Sequence, residues 1–578
     1  MVSEILKLSY LINEIFNCGY TQITTVRISM KNNIYKFYIT SPEEFIIESQ
    51  DVEQILSILK KIINNLKLSY INGYKNKKYL RYIYGRQFNI IYNYLFNIDD
   101  DKKIIPFLKF VANIELKSNK FNYNWKKISQ DYFENVIINF NDFIKKVLKE
   151  NNLSLRKIYN KALIKKKPKL ENEEYKGFYV YSCNKVEKEI IQLYIYLTEN
   201  IPISQNILLC NKNTSNEEIT AFLYRAILCK FNSCFVIGGI ESLKFNQKNY
   251  FIEILNQILL DVKGNFESCL IIFSSENSSD IYKSLDSIKY KKTFHSNIEK
   301  DLEKIKIDKL DKITIVTSDR AGIGKSTKIE NEIKKRGKHY IYFPLGGVFT
   351  RDDIIERLKN LVLTKNTSIH LDLYNTDYID LMLEFLFWIL IAKLYKVNDY
   401  IFYLLEDTEI YLEIPNGFIN FFSKFPILEL FPQKPENKLS INKLEPLIVP
   451  KDIGSKVQVV SNYLKLINDK NTDNNKDLYF PGITLELISN SNPKLANAQV
   501  LSQNECQKLI FEENKKNNKD NKFINYYQIK SFIDILYDEF IKFNNNIHFS
   551  ANNYPINKNL RIYIIKGFIK LSNYIKNN

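Results

Sequence analysis

The chain has 578 residues, which is enough for about three or four domains of ordinary size. Hydrophobic residues make up 45% and charged residues 25%, as in soluble globular proteins. The 82 lysines and arginines exceed the 65 acidic residues and give a formal net charge of +17. The positive residues are scattered, and Asn, Ile and Tyr are enriched with them while glycines number only 16. This indicates a chain-wide compositional bias, so we expect no specific nucleic-acid partner.

The seven cysteines and four histidines predict neither a disulfide framework nor a zinc site. The cysteine count is odd, no two cysteines form a C-x-x-C pair, and the histidines are far apart in the chain. A reducing compartment fits this pattern, and we expect a cytoplasmic location. The N-terminus contains Glu4 and Lys7 and lacks the long apolar core of a secretory signal. The most apolar run, 385–392, is far shorter than the ~20 residues of a transmembrane segment, so none is expected.

The elements of the N-terminal part, residues 1–170, are predicted to be mostly helical. Apolar residues recur at helical spacing at 51–66 and 133–148. A charged break with a proline follows at 164–169 and indicates a linker. From residue 175 the pattern changes, because short β-rich runs begin to alternate with longer helical ones. The order βαβαβαβ across 175–300 indicates a parallel sheet with helices on its faces.

The same alternation recurs across 305–430. Strands are predicted at 312–317, 339–343, 368–373 and 409–414. Helices are predicted at 326–335, 352–361 and 378–395. The final segment, 431–578, is predicted to be a helical lid or linker region with Asn/Lys-rich loops at 468–476 and 512–522.

The sequence AGIGKST at 321–327 has the form of a Walker A motif, or P-loop. Glycines let backbone N–H groups turn toward phosphate oxygens, the lysine reaches the β- and γ-phosphates, and the next hydroxyl binds Mg²⁺. A predicted strand precedes the loop and a predicted helix follows, so the positive end of that helix adds to phosphate binding. We therefore predict ATP and Mg²⁺ as ligands. The predicted nucleotide-binding residues are Asp319, Ala321, Gly322, Gly324, Lys325, Ser326 and Thr327.

One position departs from this motif, because Asp319 stands where its first glycine is expected. Gly322 would then supply the flexibility of the loop. With the P-loop placed, the predicted fold class is α/β with large α-helical parts. Two tandem P-loop-type, AAA+-like α/β units lie between helical N- and C-terminal segments.

Hydrolysis in such ATPases uses an acidic pair at the end of the third strand, an Asp for magnesium and a Glu that polarises the attacking water. Here the strand ends in Asp372 and Leu373, and leucine cannot accept a proton. We predict that Ser326 and Asp372 hold the metal and that no residue is catalytic. Asn416, after the next strand, is a candidate sensor of the γ-phosphate, or alternatively a turn residue. Glu413 is an alternative base if the strand order differs.

The first unit lacks the phosphate loop, since its opening strand is followed by 182–186 (SCNKV), with no glycine and no GK[ST]. Its third strand ends in Gly238-Gly239-Ile240-Glu241, not in an acidic pair. We interpret Glu241 as a solvated surface residue. This unit is predicted to be a scaffold that no longer holds nucleotide.

Three separated segments carry a more specific signal than any single motif: 80–88 (LRYIYGRQF), 317–326 (TSDRAGIGKS) and 526–533 (YYQIKSFI). Together they resemble the motor region of mysterin-type proteins, giant RING-finger E3 ubiquitin ligases built around a row of AAA+ units. The resemblance runs from about residue 50 to the C-terminus. It implies a degenerate first unit at 175–300 and a second unit at 305–430 that binds ATP without being the main hydrolytic site. It also implies that Asp319 is a family trait.

The resemblance places later AAA+ units and the ligase module outside these 578 residues. No cysteine/histidine cluster in the sequence could form a RING or other zinc-bound ligase element. We therefore expect either a fragment of a longer product or a reduced relative, with further AAA+ units or a ligase module on a longer or separate chain. The arginine that a neighbouring unit would supply to the site cannot be named.

Three functions remain open from the sequence. The first is an ATP-binding segment of a mysterin-like motor that holds Mg-ATP with little or no hydrolysis. The second is a free-standing active P-loop ATPase. The third is a non-enzymatic scaffold with a relic P-loop.

Overall fold

The computed structural model describes most of the chain. The described residues are 2–19, 25–31, 34–40, 47–49, 52–88, 90–91, 101–112, 132–150, 152, 154–166, 175–275, 279–292, 294, 298–305, 307, 312–318, 324–374, 376–397, 400–405, 407–414, 424–435, 455–468, 501–516, 526–545 and 558–575.

The N-terminal part contains helices and a small antiparallel sheet. Its helices are α1 (Val2–Asn17), α2 (Val52–Asn76), α3 (Asp101–Ala112), α4 (Tyr132–Glu150) and α5 (Leu155–Ile158). The sheet has the order β1-β2-β3, with β1 (Thr25–Lys31), β2 (Ile34–Thr40) and β3 (Ile47–Ser49). The prediction of a mostly helical segment did not anticipate this sheet, although its strands read TVRISMK and IYKFYIT with the β-branched and aromatic residues that strands favour.

The first α/β unit has a five-stranded parallel sheet in the order β5-β6-β7-β4-β8. Its strands are β4 (Gly177–Ser182), β5 (Ile207–Leu209), β6 (Cys234–Gly238), β7 (Cys269–Ser274) and β8 (Lys291–Lys292). Its helices are α6 (Val186–Thr198), α7 (Asn216–Ile227), α8 (Phe245–Asp261), α9 (Asp280–Asp286) and α10 (Ile298–Leu302). Strands β6 and β7 are buried at every position, because helices cover both faces of a parallel sheet.

The second α/β unit repeats this arrangement with strands in the order β10-β11-β14-β9-β15. They are β9 (Ile313–Thr317), β10 (His339–Leu345), β11 (Thr367–Leu373), β14 (Glu409–Glu413) and β15 (Gln433–Pro435), and they are parallel. Its helices are α11 (Lys325–Lys335), α12 (Arg351–Lys359) and α13 (Ile379–Leu386). Counted within each unit, both sheets have the order 2-3-4-1-5. The predicted α/β fold with two tandem units is confirmed.

Two boundaries in the second unit differ from the sequence prediction. The helix predicted at 378–395 stops early, since α13 is followed by a π-helix, Phe387–Ala392, and then by β12 (Leu394–Val397), which pairs with β13 (Tyr400–Tyr403). Lys393 has φ of 57°, a left-handed conformation that ends a helix. Strand β15 lies just beyond residue 430, where only helices and loops were predicted.

The described residues of the C-terminal part form four helices, α14 (Lys456–Asn468), α15 (Gln503–Lys516), α16 (Tyr526–Asn545) and α17 (Lys558–Ile575). They enclose a core of their own, in which the rings of Tyr463 and Phe540 stack at 4.0 Å. Both α/β units share a separate, continuous core with the N-terminal part from Leu66 onward, whereas α1 and the first half of α2 pack in a small cluster of their own. Among the described helices, none is long and apolar enough to cross a membrane.

One partly buried carboxylate joins the N-terminal part to both α/β units. Glu218 on α7 accepts a hydrogen bond from the Tyr84 hydroxyl at 2.6 Å and one from the Lys396 ammonium on β12 at 2.8 Å. The side chains of Lys396 and Glu218 are only 10% and 18% exposed. Burial lowers the pKa of Lys396, and the charge of Glu218 opposes that shift. The ion pair therefore contributes to holding the two units against the N-terminal segment 80–88.

This junction predicts a stability effect. Lys396→Met leaves Glu218 without its cation, and we expect a loss of about 2 kcal/mol, within the usual cost of an unsatisfied buried polar group. Trp388 lines the same junction and reports its unfolding. The measurement is urea unfolding followed by Trp388 fluorescence in a Trp125→Phe background, since the chain has only these two tryptophans.

The matched control is Lys165→Met, which makes the same charge change at an exposed ion pair with Glu199. Exposed pairs contribute about 0–1 kcal/mol, so this variant is expected to unfold close to the parent. Equal destabilisation by the two substitutions would contradict the role given to the buried pair.

Candidate functional site

Three neighbouring strands of the second sheet bring their carboxyl ends to one place. Strand β14 lies between β9 and β11, and Glu413 pairs in register with Val316 on one side and with Asp372 on the other. Residues in register on parallel strands point to the same face of the sheet. That face is covered by α11, because Val316 packs in one cluster with Ile329 of that helix.

The described part of the P-loop begins at Gly324, the residue before α11. Gly324 has φ of 89°, a left-handed conformation that favours glycine, and it caps the helix that starts at Lys325. The backbone N–H groups of this first turn have no partners within the helix and can bind an anion. Of the predicted nucleotide-binding residues, Asp319, Ala321 and Gly322 lie outside the described residues, as does the candidate sensor Asn416.

The P-loop lysine is buried at this site. Lys325 is 5% exposed, and its ammonium donates a hydrogen bond to the Ser318 hydroxyl at 3.0 Å. The same ammonium lies 3.5 Å from Oε1 of Glu413. The Ser326 hydroxyl donates to Oε2 of Glu413 at 2.7 Å, whereas Thr327 is exposed. The lysine and the serine of the motif therefore both contact one carboxylate.

Glu413 also contacts an imidazole. Nε2 of His370, a fully buried residue of β11, lies 3.1 Å from Oε2 of Glu413, and Nδ1 lies 2.9 Å from the Tyr340 hydroxyl. Burial acts to raise the pKa of Glu413, but hydrogen bonds from His370 and Ser326 and the charge of Lys325 lower it overall. Glu413 is therefore ionised at neutral pH.

Asp372 occupies the third strand position expected of a magnesium-binding aspartate. Its Oδ2 accepts hydrogen bonds from the hydroxyls of Tyr342 at 2.8 Å and Tyr374 at 2.6 Å. Burial raises the pKa of Asp372, and the nearby charge of Glu413 adds to the shift, while the tyrosine hydrogen bonds oppose it. Leu373, the next residue, is fully buried in the core, so its side chain lies on the other face of the strand.

The structure brings Glu413 to the P-loop without any change in the predicted strand order. From the sequence, Glu413 is expected near the P-loop only with a different strand order, and the four histidines predict no ligand set. His370 and Asp372 are two residues apart on one strand and so share a face. The two-residue spacing of His370 and Asp372, together with Glu413 at the end of the neighbouring strand, is the sequence signal that could have predicted that the three residues cluster.

The corresponding place in the first unit is arranged differently. Strand β4 leads through 182–186 into α6, and Lys185, the residue before that helix, forms an ion pair with Glu429 at 3.3 Å. The interpretation of Glu241 as a solvated residue is wrong, because its Oε1 accepts hydrogen bonds from the Ser274 hydroxyl and from the Ser275 N–H at 3.0 Å. These bonds connect the end of β7 to the turn after β6.

Comparison with known proteins supports the fold and its family. Residues 179–290 match the family model described as the RNF213 AAA domain. No match was found among curated proteins. The matched span covers the first α/β unit and contains none of the three segments that suggested the resemblance to mysterin, so the two observations are independent. Residues 179–290 are therefore similar to the RNF213 AAA domain, and this match supports the resemblance to a mysterin-type AAA+ motor region.

Proposed function

We propose that the second α/β unit binds Mg-ATP and hydrolyses it slowly or not at all, as the nucleotide-holding segment of a mysterin-like motor in the cytoplasm. The observation that carries the proposal is the placement of Lys325 and Ser326. Both stand in the first turn of α11, directly after a left-handed glycine and beside the carboxyl ends of β9 and β14. A buried lysine and the backbone N–H groups of a helix's first turn suit a polyphosphate.

The donor groups at this site fit the proposed ligands. Lys325 would bind the β- and γ-phosphates, and Ser326 and Asp372 would hold Mg²⁺. The ion would neutralise phosphate charge when bound. Lys325 and Ser326 now contact Glu413, so phosphate binding exchanges these contacts for contacts with the ligand.

Weak hydrolysis follows from the residues around the predicted metal position. Leu373 is apolar and buried in the core. Glu413 is shared among Lys325, Ser326 and His370, which lower its pKa and thereby weaken it as a base. Efficient AAA+ turnover also uses an arginine from a neighbouring unit, which further AAA+ units on a longer or separate chain would supply.

A second candidate function is an active ATPase in which Glu413 serves as the base. Its position beside Ser326 favours this alternative, because a carboxylate near the metal-binding hydroxyl can orient a water molecule. The two functions differ in turnover and not in nucleotide affinity. A pure scaffold with a relic loop would bind no nucleotide.

The first test measures binding of a fluorescent ATP analogue in the presence of Mg²⁺. Lys325→Ala is expected to weaken binding at least about tenfold, a change of about 1.4 kcal/mol. The control Lys335→Ala removes the same charge from the exposed last turn of the same helix and should bind like the parent. Equal binding by all three proteins would refute the proposed site.

The second test measures steady-state phosphate release. We expect turnover below ~1 s⁻¹, the lower end of ordinary enzyme rates. Turnover above that rate, lost in both Lys325→Ala and Glu413→Gln, would establish the active ATPase instead. The control for Glu413→Gln is Glu409→Gln at the opposite end of β14, where the carboxylate pairs with Lys338 at 2.7 Å.

A further inference from the structure

A cluster of three metal-ligand side chains lies beside the P-loop. His370, Asp372 and Glu413 each offer a ligand atom, and these atoms lie within 4.8 Å of one another. All three residues are buried, with exposures of 0%, 8% and 8%. Separations of this size let one cation contact all three side chains after small rotations, since metal–ligand bonds to nitrogen and oxygen are about 2.0–2.2 Å long.

The negative charge of the cluster favours binding of a cation. Asp372 and Glu413 sit on neighbouring strands in register, so two carboxylates are buried side by side. Lys325 is a single positive charge and lies 3.5 Å from Glu413. Buried carboxylates are stable only when paired or bound to a metal, and the two carboxylates and one lysine leave a net negative charge that favours a bound cation.

The imidazole of His370 and the carboxylate of Asp372 are each hydrogen-bonded to tyrosine hydroxyl groups. His370 meets the Tyr340 hydroxyl through Nδ1, which leaves Nε2 directed at Glu413. Tyr342 and Tyr374 both donate to Oδ2 of Asp372. Metal-binding histidines and carboxylates typically have such outer partners, which fix their orientation.

The donor set distinguishes this cluster from a magnesium site. Mg²⁺ prefers oxygen ligands and retains several waters, whereas imidazole nitrogen suits Zn²⁺ and related transition-metal ions. We propose that His370, Asp372 and Glu413 bind a divalent transition-metal ion, Zn²⁺ or Mn²⁺, directly and without nucleotide. The ion takes the place between Nε2 of His370 and Oε2 of Glu413 that a hydrogen bond now occupies.

The inference deepens the proposed function, because the site shares Asp372, the residue proposed to hold Mg²⁺, and the contact between Glu413 and Ser326 with the nucleotide site, and only its coupling to ATP rests on that function. An ion bound here stands next to the hydroxyl that the P-loop contributes to metal binding. ATP would then bind next to a metal ion whose identity is set by His370, Asp372 and Glu413.

The test uses the full chain, stripped of metal with a chelator and free of nucleotide. Mn²⁺ binding is followed by the loss of the free-ion EPR signal, and Zn²⁺ or Mg²⁺ is added as competitor. We expect one Mn²⁺ per chain, displaced by equimolar Zn²⁺ and retained in the same concentration of Mg²⁺. Glu413→Gln and His370→Gln should weaken Mn²⁺ binding by about tenfold or more, and Tyr340→Phe by about tenfold through loss of the outer partner.

The controls are matched in residue type. Glu409→Gln changes a carboxylate on the same strand, and His339→Gln changes an exposed histidine at the start of β10. Both are expected to bind Mn²⁺ like the parent. Trp388 fluorescence reports whether the buried His370→Gln variant is folded, and Tyr340→Phe tests the site without removing a ligand.

Two results would overturn the inference. One is nucleotide-free protein that binds Mn²⁺ and Zn²⁺ no more tightly than Mg²⁺, and the other is Mn²⁺ binding unchanged by folded Glu413→Gln and Tyr340→Phe proteins. Failure of the proposed function looks different, because the ATP analogue would then not bind while His370-dependent Mn²⁺ binding persists.

Discussion

The arrangement at the P-loop depends on the burial of one carboxylate, Glu413. Its strand lies between the strand that leads into the loop and the strand that carries Asp372, so its side chain is directed at the first turn of α11. A buried carboxylate must be paired or hydrogen-bonded, and here Lys325, Ser326 and His370 do this. The contacts that fix the P-loop side chains without ligand are therefore the contacts that a ligand must replace.

The two α/β units share one topology but differ in the residues at the start of the helix that follows the first strand. Both sheets have the strand order 2-3-4-1-5, which places the end of the first strand beside the end of the fourth. In the second unit a glycine precedes the helix, and a lysine and a serine are its first two residues. In the first unit Lys185 takes the position before the helix and is engaged with Glu429. Function is thus set by a few side chains on a shared scaffold.

Periodicity located four of the five strands in each sheet and missed β8 and β15, because buried parallel strands are continuous apolar runs such as Cys269–Ser274. Periodicity failed where the apolar pattern was weak, or where the backbone conformation of one residue ended a helix. Strand β15 is three residues long and contains a proline, so it is recognised only by its pairing with β9. The apolar run 385–392 continues smoothly in helical spacing, and the left-handed conformation of Lys393 ends it. The three-stranded N-terminal sheet was missed because the helical pattern around it was stronger.

The sequence by itself determined the P-loop motif at Gly324, Lys325 and Ser326, the Asp372–Leu373 pair, and the resemblance to mysterin-type proteins, because these depend on residue identity at fixed short spacings. The tertiary structure alone decided that His370, Asp372 and Glu413 meet beside Ser326. Those residues come from two strands that are separated along the chain by a helix and a hairpin, and only the sheet order makes them neighbours. Local spacing cannot encode that proximity, since it arises from the pairing of strands distant in sequence.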